Sequence, residues 1–231
     1  MNAVFPSIAP EVAVLAPGFR ALSISVQGSP IIDTALGTQA LFDACQHVIV
    51  GGPTWADAHF CAWDDIFRKF GSKPQQTPCS AKALRKRVLK TGSLPSIDPI
   101  VDLYNAVSLK YALPVGGENF ASYVGMPRLV IANGTEEFDT VRDGELISEA
   151  PEPGEVIWRD DLGVTCRRWN WRQGLRTRLT AEAELMWFVL ESLSDMPLAA
   201  LHAAGEALTQ GLRLMMPDAT VESRLIGVDI E

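Results

Sequence analysis

One stretch of the chain, Ser96 to Asn119, constrains the fold and the site more than any other. Asp98 can accept hydrogen bonds from the free amides of a first helical turn, and Pro99 suits the first helical position. A helix is therefore predicted to begin here. The apolar residues that follow recur at helical spacing and are expected to face a core; they are Ile100, Leu103, Val107 and Tyr111.

The second half of this stretch has the composition of a turn beside a ligand. Pro114 predicts the end of the helix, and the pair Gly116-Gly117 predicts a tight turn that can approach a ligand closely. Glu118 places a carboxylate directly after it, while Asn105 is expected at the margin of the helix core, where an amide can select a polar ligand. The alternative is local: Asn105 caps or bridges backbone, and the glycines only form a turn.

Length and composition predict one domain over residues 1–231, with a C-terminal helix and tail over 196–231. The chain has 231 residues and 47% hydrophobic content, enough for one good-sized core. No apolar run reaches the length of a membrane span, and the N-terminus lacks a basic region before its apolar part. We therefore expect a cytoplasmic protein without a membrane partner.

The cysteines and histidines do not form a metal-binding or redox pattern. Cys45, Cys61, Cys79 and Cys166 lack the short spacing of zinc and redox motifs, and the histidines are scattered. We expect free thiols, no structural metal and no cofactor.

The net charge of −8 argues against a protein that coats nucleic acid, and no DNA partner is expected. Two local basic segments remain, Lys82–Lys90 and Arg167–Arg178. Ser80 is predicted to cap a helix over 81–90. Its basic side chains either meet phosphates or form a solvated helix face; they are Lys82, Arg85, Lys86, Arg87 and Lys90.

A strand predicted over Val164–Trp171 separates two kinds of side chain. Alternation assigns Cys166, Arg168, Asn170 and Arg172 to one face and Arg167, Trp169 and Trp171 to the other. Guanidinium groups can hold a carboxylate or a phosphate, and the amide can select a side-chain hydroxyl. The alternative is a structural ion pair of these arginines with Asp160, Asp161 or Glu118.

The remaining patterns predict secondary structure only. Residues 11–27 are expected to form an N-terminal hairpin or paired strands, and residues 34–50 a helix that continues into an extended segment. Residues 55–70 carry an aromatic stripe that is typical of a helix facing the core. Thr180 is predicted to cap a helix through Leu193, with Glu182 and Glu184 in its first turn, and a second helix follows through Leu214.

Four segments in the same order resemble one known domain. They are SAKALRKRVLKTGSLP (80–95), SIDPIVDLYNAVSLKYALPVGGEN (96–119), LVIANGTEEF (129–138) and EVIWRDDLGVTCRRWNWRQGLRTRLT (155–180). Together they resemble the tRNA-binding editing domain of the phenylalanyl-tRNA synthetase β subunit, most closely free-standing proteins that consist of little more than that domain. The resemblance is strongest over residues 60–195. It implies an α/β (α+β) fold with a strand-rich, sandwich-like core and packed helices.

The resemblance also implies a function, a trans-acting editing factor that hydrolyses mischarged aminoacyl-tRNA with a water oriented by the pocket. Glu118 is then the catalytic candidate, and the basic residues of the 81–90 helix become tRNA-contact candidates. The substrate-binding candidates are Asn105, Gly116, Gly117, Arg168, Asn170 and Arg172.

The chain departs from the synthetase pattern at two places. Gly116 stands where the synthetase commonly has a histidine, and residues 168–176 replace a glycine-rich loop with its following glutamate. Two alternatives therefore stay open: a non-catalytic module that binds an amino acid or a small metabolite, and a tRNA-binding accessory protein. The expected partners are accordingly the tRNA 3′ end, aminoacyl-tRNA or a small amino-acid ligand.

Overall fold

The computed structural model describes residues 4–180 and 183–227. Within these ranges the helices are α1 (Pro10–Leu15), α2 (Ala35–Ile49), α3 (Ala56–Lys69), α4 (Ser80–Thr91), α5 (Pro99–Tyr111) and α6 (Leu198–Met215), with a short 3₁₀ helix at Phe120–Ser122. The strands are β1 (Ser7–Ile8), β2 (Arg20–Gln27), β3 (Val115–Asn119), β4 (Arg128–Ile131), β5 (Phe138–Arg142), β6 (Glu145–Glu149), β7 (Val156–Arg159), β8 (Val164–Arg167), β9 (Arg172–Gln173), β10 (Leu185–Ser192) and β11 (Thr220–Gly227).

One antiparallel sheet has the strand order β11-β2-β10-β3. Both faces of this sheet are covered, and successive side chains of β10 point alternately to the two faces. Met186, Phe188 and Leu190 share a core with α6, whereas Trp187 and Val189 belong to the core on the opposite face.

A second sheet, with the order β1-β4-β7-β8-β9, faces the first sheet across this opposite core. The ring of Trp158 on β7 meets that of Trp187 on β10 edge-to-face, with centroids 5.4 Å apart. On the outer side of the second sheet, Ile157 and Val164 pack with Phe138 of the β5-β6 hairpin. Two sheets with helices packed on them form the mixed α/β, sandwich-like fold that was predicted.

The predicted start of α5 is confirmed. Oδ1 of Asp98 accepts hydrogen bonds from the amides of Ile100 at 2.9 Å and Val101 at 3.3 Å, and Pro99 occupies the first helical turn. The helix ends at Tyr111, before Pro114, because Ala112 adopts a left-handed conformation with φ of 54°. Local capping chemistry therefore sets the start of the helix, as its sequence indicated.

The aromatic stripe of α3 belongs to the core, as predicted. The imidazole of His59 is fully buried: its Nδ1 lies 2.8 Å from the carbonyl oxygen of Ala112, and its Nε2 accepts from the indole N–H of Trp63. Burial lowers the pKa of His59 to about 4. It is therefore a neutral hydrogen-bonded core residue near neutral pH.

Two predictions near the N-terminus are wrong in part. Residues 10–15 form α1 and not a strand, because Pro10 presets a first helical turn and the single turn needs to bury only Val12. The strand predicted after it is confirmed as β2. The extended segment predicted within residues 34–50 is also helical, because Val48 continues the buried stripe of Leu41 and Cys45 in α2.

The helix predicted from Thr180 to Leu193 is a strand, β10. It pairs with β2 and β3 at its edges, and a core covers each of its faces, so apolar side chains follow one another without the alternation that marks a half-buried strand. Glu182 lies outside the described residues. The following helix is confirmed as α6.

Among the described residues, no helix is both long enough and apolar enough to cross a membrane.

Candidate functional site

A cavity of about 290 Å³ lies between the two sheets and is bordered on one side by α4 and α5. Partly exposed residues mark its opening, among them Ser80, Leu84, Asn105 and Trp171. The complete lining is Ser80, Ala83, Leu84, Tyr104, Asn105, Val115, Gly116, Gly117, Glu118, Trp158, Cys166, Trp169, Asn170, Trp171, Gln173, Trp187, Val189 and Glu191.

Aromatic rings form much of the wall. Trp158 and Trp187 meet between the sheets, and the fully buried Trp169 packs edge-to-face on Trp63 at 5.4 Å and on Phe19 at 5.0 Å. These contacts hold the rings in place without a ligand. The cavity therefore offers fixed aromatic surfaces, which suit an apolar group or a cation.

Gly116 and Gly117 do not form the predicted turn; they lie in β3, paired with Val189 and Phe188 of β10. Glycine is needed here for space and not for an unusual backbone conformation. A Cβ on Gly117 would lie 2.9 Å from Tyr104 Cε1, and one on Gly116 would lie 3.2 Å from Val189 Cγ1. The missing side chains let α5 and the β10 side chains approach the strand closely.

Glu118 follows in the same strand, opposite Trp187, and its side chain is buried in the cavity wall. Burial raises the pKa of Glu118 to about 8, and the neighbouring polar groups of Thr177 and Gln173 only reduce this rise. Within the described residues its Oε2 has no hydrogen-bond partner. Glu118 is thus a largely protonated carboxyl near neutral pH, with one oxygen available to a ligand.

Glu191 is a second buried carboxyl of the cavity, and the sequence analysis missed it. Its Oε1 accepts from the indole N–H groups of Trp158 at 2.9 Å and Trp169 at 3.1 Å, and its Oε2 accepts from the Asn170 amide at 2.8 Å. Burial raises the pKa of Glu191 to about 7, against the effect of these three donors. A carboxylate inside the apolar run 185–193 would have been a signal had that run been predicted as a strand.

The side-chain amide of Asn170 is hydrogen-bonded through its nitrogen but not through its oxygen. Its Nδ2 donates to Glu191, which fixes the amide orientation, and its Oδ1 is buried without a hydrogen-bond partner among the described residues. Asn105 lies half-buried at the opening, on the α5 stripe next to its core face. The structure thus brings Asn105, Gly116, Gly117, Glu118 and Asn170 to one cavity.

The predicted alternation over 164–171 breaks after Arg167, where β8 ends. Arg168 and Trp169 have φ values of 47° and 66°, and the amide of Trp169 turns back to donate to the carbonyl of Val156 at 2.6 Å. Because the chain turns here, Trp169, Asn170 and Trp171 all line the cavity. The assignment of these residues to two opposite strand faces is therefore wrong.

Arg168 and Arg172 lie outside the cavity lining, next to Trp171. Their guanidinium carbons lie 4.7 and 5.8 Å from the centre of a Trp171 ring, and Arg168 Nε lies 3.7 Å from Oε2 of Glu155. Arg172 is exposed and donates to the carbonyl of Val141 at 3.3 Å. Neither forms the ion pairs weighed for them. Asp160 pairs instead with Arg176, and Asp161 with Arg128.

The basic helix is α4, and Ser80 is its first residue and not its cap; Cys79 holds the cap position. Two of its basic side chains are paired with acids of α3, Lys82 with Asp64 and Arg85 with Asp57. The other basic side chains of α4 are exposed and form no ion pair within the described residues; they are Lys86, Arg87 and Lys90.

The lining of the cavity contains two carboxyl groups and, among the described residues, no lysine, arginine or histidine. Cys166 does not supply a nucleophile in this state, because burial and the nearby carboxyls of Glu118 and Glu191 raise the pKa of its thiol well above the usual range. The part of the chain that the structure describes holds no group of three or more His, Cys, Asp or Glu side chains arranged for a metal ion. The chemistry available is that of carboxyl groups, amides and aromatic rings.

Comparison with known proteins supplies a family and a fold. Residues 62–202 match the model of the B3/4 domain. A solved structure titled as an N-terminal fragment of the phenylalanyl-tRNA synthetase β subunit from Pyrococcus horikoshii has the same fold, with a TM-score of 0.53 and 9% sequence identity over 96% of this chain. This chain spans about half of that one, 51% of its length. The search of curated proteins found no match. The predicted resemblance to the synthetase β subunit is confirmed.

Proposed function

The chain belongs to the B3/4 domain family, and from this premise we propose that it is an editing hydrolase, which acts in trans on mischarged aminoacyl-tRNA. The aminoacyl group enters the cavity between the sheets, and water cleaves its ester bond to the terminal ribose. The fold shared with a synthetase β-subunit fragment supports a substrate linked to tRNA.

One observation carries this proposal: among the described residues, the cavity lining presents buried acceptors without donors and includes no basic side chain. Glu118 Oε2 and Asn170 Oδ1 accept no hydrogen bond from the described residues, and both belong to residues that line the cavity. A buried unpaired acceptor costs roughly 1–3 kcal/mol unless a ligand or water donates to it. The ligand is therefore expected to supply N–H or O–H donors to Asn170 Oδ1 and to the ionised form of Glu118, and the aromatic walls favour an ammonium group.

The same lining favours an aminoacyl ester over a free amino acid, the alternative ligand. A free amino acid carries a carboxylate, for which the described lining offers no basic partner and which Glu118 and Glu191 would repel whenever they are ionised. In an ester this carboxylate is absent, and only the ammonium group remains charged.

The volume of the cavity limits what enters. At about 290 Å³ it lies at the low end of small-molecule pockets, which span roughly 300–1,000 Å³. An aminoacyl group fits this space, whereas the nucleotide chain stays outside the opening formed by α4 and Trp171.

Glu118 orients the attacking water and accepts its proton when ionised. The ammonium group of the bound aminoacyl ester favours the ionised state of Glu118. This ammonium group is held by Asn170 Oδ1 and by the aromatic faces of the wall. Water adds to the ester carbonyl, the bond to the ribose oxygen breaks, and that oxygen receives the proton. The products are a free amino acid and tRNA with a free 3′ end.

A deacylation screen tests the proposal. We would incubate the protein with tRNAs charged with each amino acid, including tyrosyl-tRNA for phenylalanine, and compare Glu118→Gln with Glu222→Gln. Glu222 is exposed on β11, at the opposite sheet edge from β3. We expect release of one class of amino acid that falls by roughly 10²- to 10⁴-fold in Glu118→Gln alone. The absence of release from every charged tRNA would contradict the proposal.

A further inference from the structure

The side of α4 that lines the cavity continues beyond it as a basic stripe. Ser80, Ala83 and Leu84 line the cavity opening. Arg87 follows Leu84 by three positions and Ala83 by four, so it lies on the same side of the helix one turn further along. Lys90 follows Arg87 by three positions. At about 1.5 Å per residue, these positions lie roughly 4.5 and 9 Å beyond Leu84 along the helix.

On the opposite side of α4, two of the basic side chains have their charge neutralised. Lys82 and Arg85 turn toward α3, where Asp64 and Asp57 pair with them, and the Arg85 guanidinium also lies over the ring of Phe60. Arg87 and Lys90 have no such partner in the described ranges and are exposed. Arg87 and Lys90 therefore carry uncompensated charge on the cavity side of α4, and Lys86 carries it on the side that faces α3.

A second basic group lies beside Trp171, another residue at the opening. Trp171 lines the cavity, and the guanidinium groups of Arg168 and Arg172 lie against it. The arginine stems thus rest at the opening while their charges remain outside the cavity. Arg168 forms a long ion pair with Glu155 at 3.7 Å, and the same carboxylate is paired more closely with Arg167 at 2.8 Å.

This arrangement is local in a chain of net charge −8. Residues next to the two basic segments, which are far apart in the chain, line the same cavity, whose interior holds carboxyl groups and aromatic rings. A ligand that matches both the cavity interior and the basic groups outside it has a cationic end in the cavity and negative charges on the part that remains outside.

We infer that Arg87, Lys90, Arg168 and Arg172 form a basic rim that binds the phosphate backbone of a single-stranded RNA 3′ end. The inference rests on the proposed function, because it assigns the part of the substrate that remains outside the cavity. The rim binds successive phosphates close to the terminal ribose and directs the aminoacyl end inward. It also explains how an acidic protein holds RNA through a short contact near one terminus.

Binding of uncharged RNA tests the rim separately from hydrolysis. We would measure fluorescence anisotropy with uncharged tRNA and with a labelled single-stranded RNA of about twelve nucleotides, at about 50 and about 200 mM salt. The variants are Arg87→Gln, Lys90→Gln and Arg172→Gln. The matched control is Arg213→Gln, an exposed residue of α6 on the opposite face of the first sheet.

Each rim variant is expected to weaken RNA binding by about three- to tenfold at low salt and to reduce the slope of log K against log salt by about 0.7. Arg213→Gln should leave both quantities unchanged. The rim is refuted if the wild-type protein binds neither RNA, if the rim variants bind as the wild type does, or if the control loses as much affinity.

The two proposals fail in different ways. If the protein hydrolyses charged tRNA but the rim variants bind RNA as the wild type does, the rim proposal is contradicted and the editing proposal is retained. If RNA binding depends on the rim residues but no charged tRNA is hydrolysed, the editing proposal is contradicted and the rim proposal is retained.

Discussion

Trp158 donates its indole N–H to Glu191 at 2.9 Å, and this hydrogen bond joins the two sheets across the cavity. With the donors from Trp169 and Asn170, both oxygens of Glu191 are engaged. Glu118, by contrast, retains an oxygen without a partner among the described residues. The two buried carboxyls therefore differ: both oxygens of Glu191 hold the wall together, whereas one oxygen of Glu118 remains available to a ligand.

Removal of the Glu191 carboxyl should destabilise the fold. In Glu191→Ala the N–H groups of Trp158 and Trp169 lose their buried acceptor, and we expect the free energy of unfolding to fall by about 3–5 kcal/mol. Glu191→Gln keeps an amide oxygen for the indoles and lets Asn170 rotate, so its loss should be below about 1.5 kcal/mol. Urea unfolding of both variants measures the difference, and equal losses would argue against this role.

The stability of the protein should fall as the pH rises from about 5 to about 8. The pKa of Glu118 is raised to about 8 and that of Glu191 to about 7, whereas an unfolded glutamate has a pKa near 4.3. The folded state therefore keeps protons that the unfolded state has lost, and it loses stability as the pH rises between the unfolded and folded pKa values.

Glu118→Gln isolates the contribution of one group to this pH dependence. The variant cannot ionise at this position, so its free energy of unfolding should decline less between about pH 5.5 and about pH 7.5, by an amount on the order of a few kcal/mol. Urea unfolding at the two pH values measures this, with Glu222→Gln as the control. A decline as steep as that of the wild type would show that burial does not hold the proton on Glu118.

The two glycines of β3 should respond differently to alanine. In Gly117→Ala the new methyl group meets Tyr104 Cε1 and Leu179 Cδ1 at 2.9 Å, and we expect a loss of about 1–3 kcal/mol in stability. In Gly116→Ala the contact is a single one at 3.2 Å with Val189, so stability should change by less than about 1 kcal/mol. Because Gly116 lines the cavity, its variant should instead slow deacylation.

Thermal and urea unfolding, together with the deacylation assay, separate these effects. A Gly116→Ala protein that is strongly destabilised, or one that is as active as the wild type, would contradict the assignment of Gly116 to the cavity wall.

The start of α5 should depend on Asp98. Asp98→Ala removes the acceptor for the amides of Ile100 and Val101, and a lost cap costs about 0.5–2 kcal/mol. Asp98→Asn retains a side-chain oxygen and should cost only a few tenths of a kcal/mol. Urea unfolding compares the two variants. Equal stability of the alanine variant and the wild type would mean that packing alone fixes this helix.

Helix signals that lie close together in the sequence were predicted well. Asp98, Pro99 and the stripe of Ile100, Leu103 and Val107 gave α5 with its cap, because capping and helical spacing act between residues a few positions apart. The turn of the β5-β6 hairpin is an equally local feature: Asp143 and Gly144 both have positive φ, which this dipeptide favours.

Segments whose secondary structure depends on contacts with distant parts of the chain were predicted poorly. The run that forms β10 was assigned to a helix, since burial by β2, β3, α6 and the second sheet removes the period that distinguishes a half-buried strand. Gly116 and Gly117 were assigned to a turn, because sequence does not reveal that Tyr104 and Leu179 leave no room for a Cβ.

The sequence by itself determined the resemblance to the synthetase β subunit, the mixed α/β class and Glu118 as a candidate. Only the tertiary structure decided which groups share the cavity, because strand pairing joins Glu118 to β10, and this brings Glu191 and the tryptophans of both sheets to the same cavity. It also decided that Arg168 and Arg172 lie beside Trp171, outside the cavity. A side chain's partner and burial are fixed by contacts between segments far apart in the chain, which local spacing does not encode.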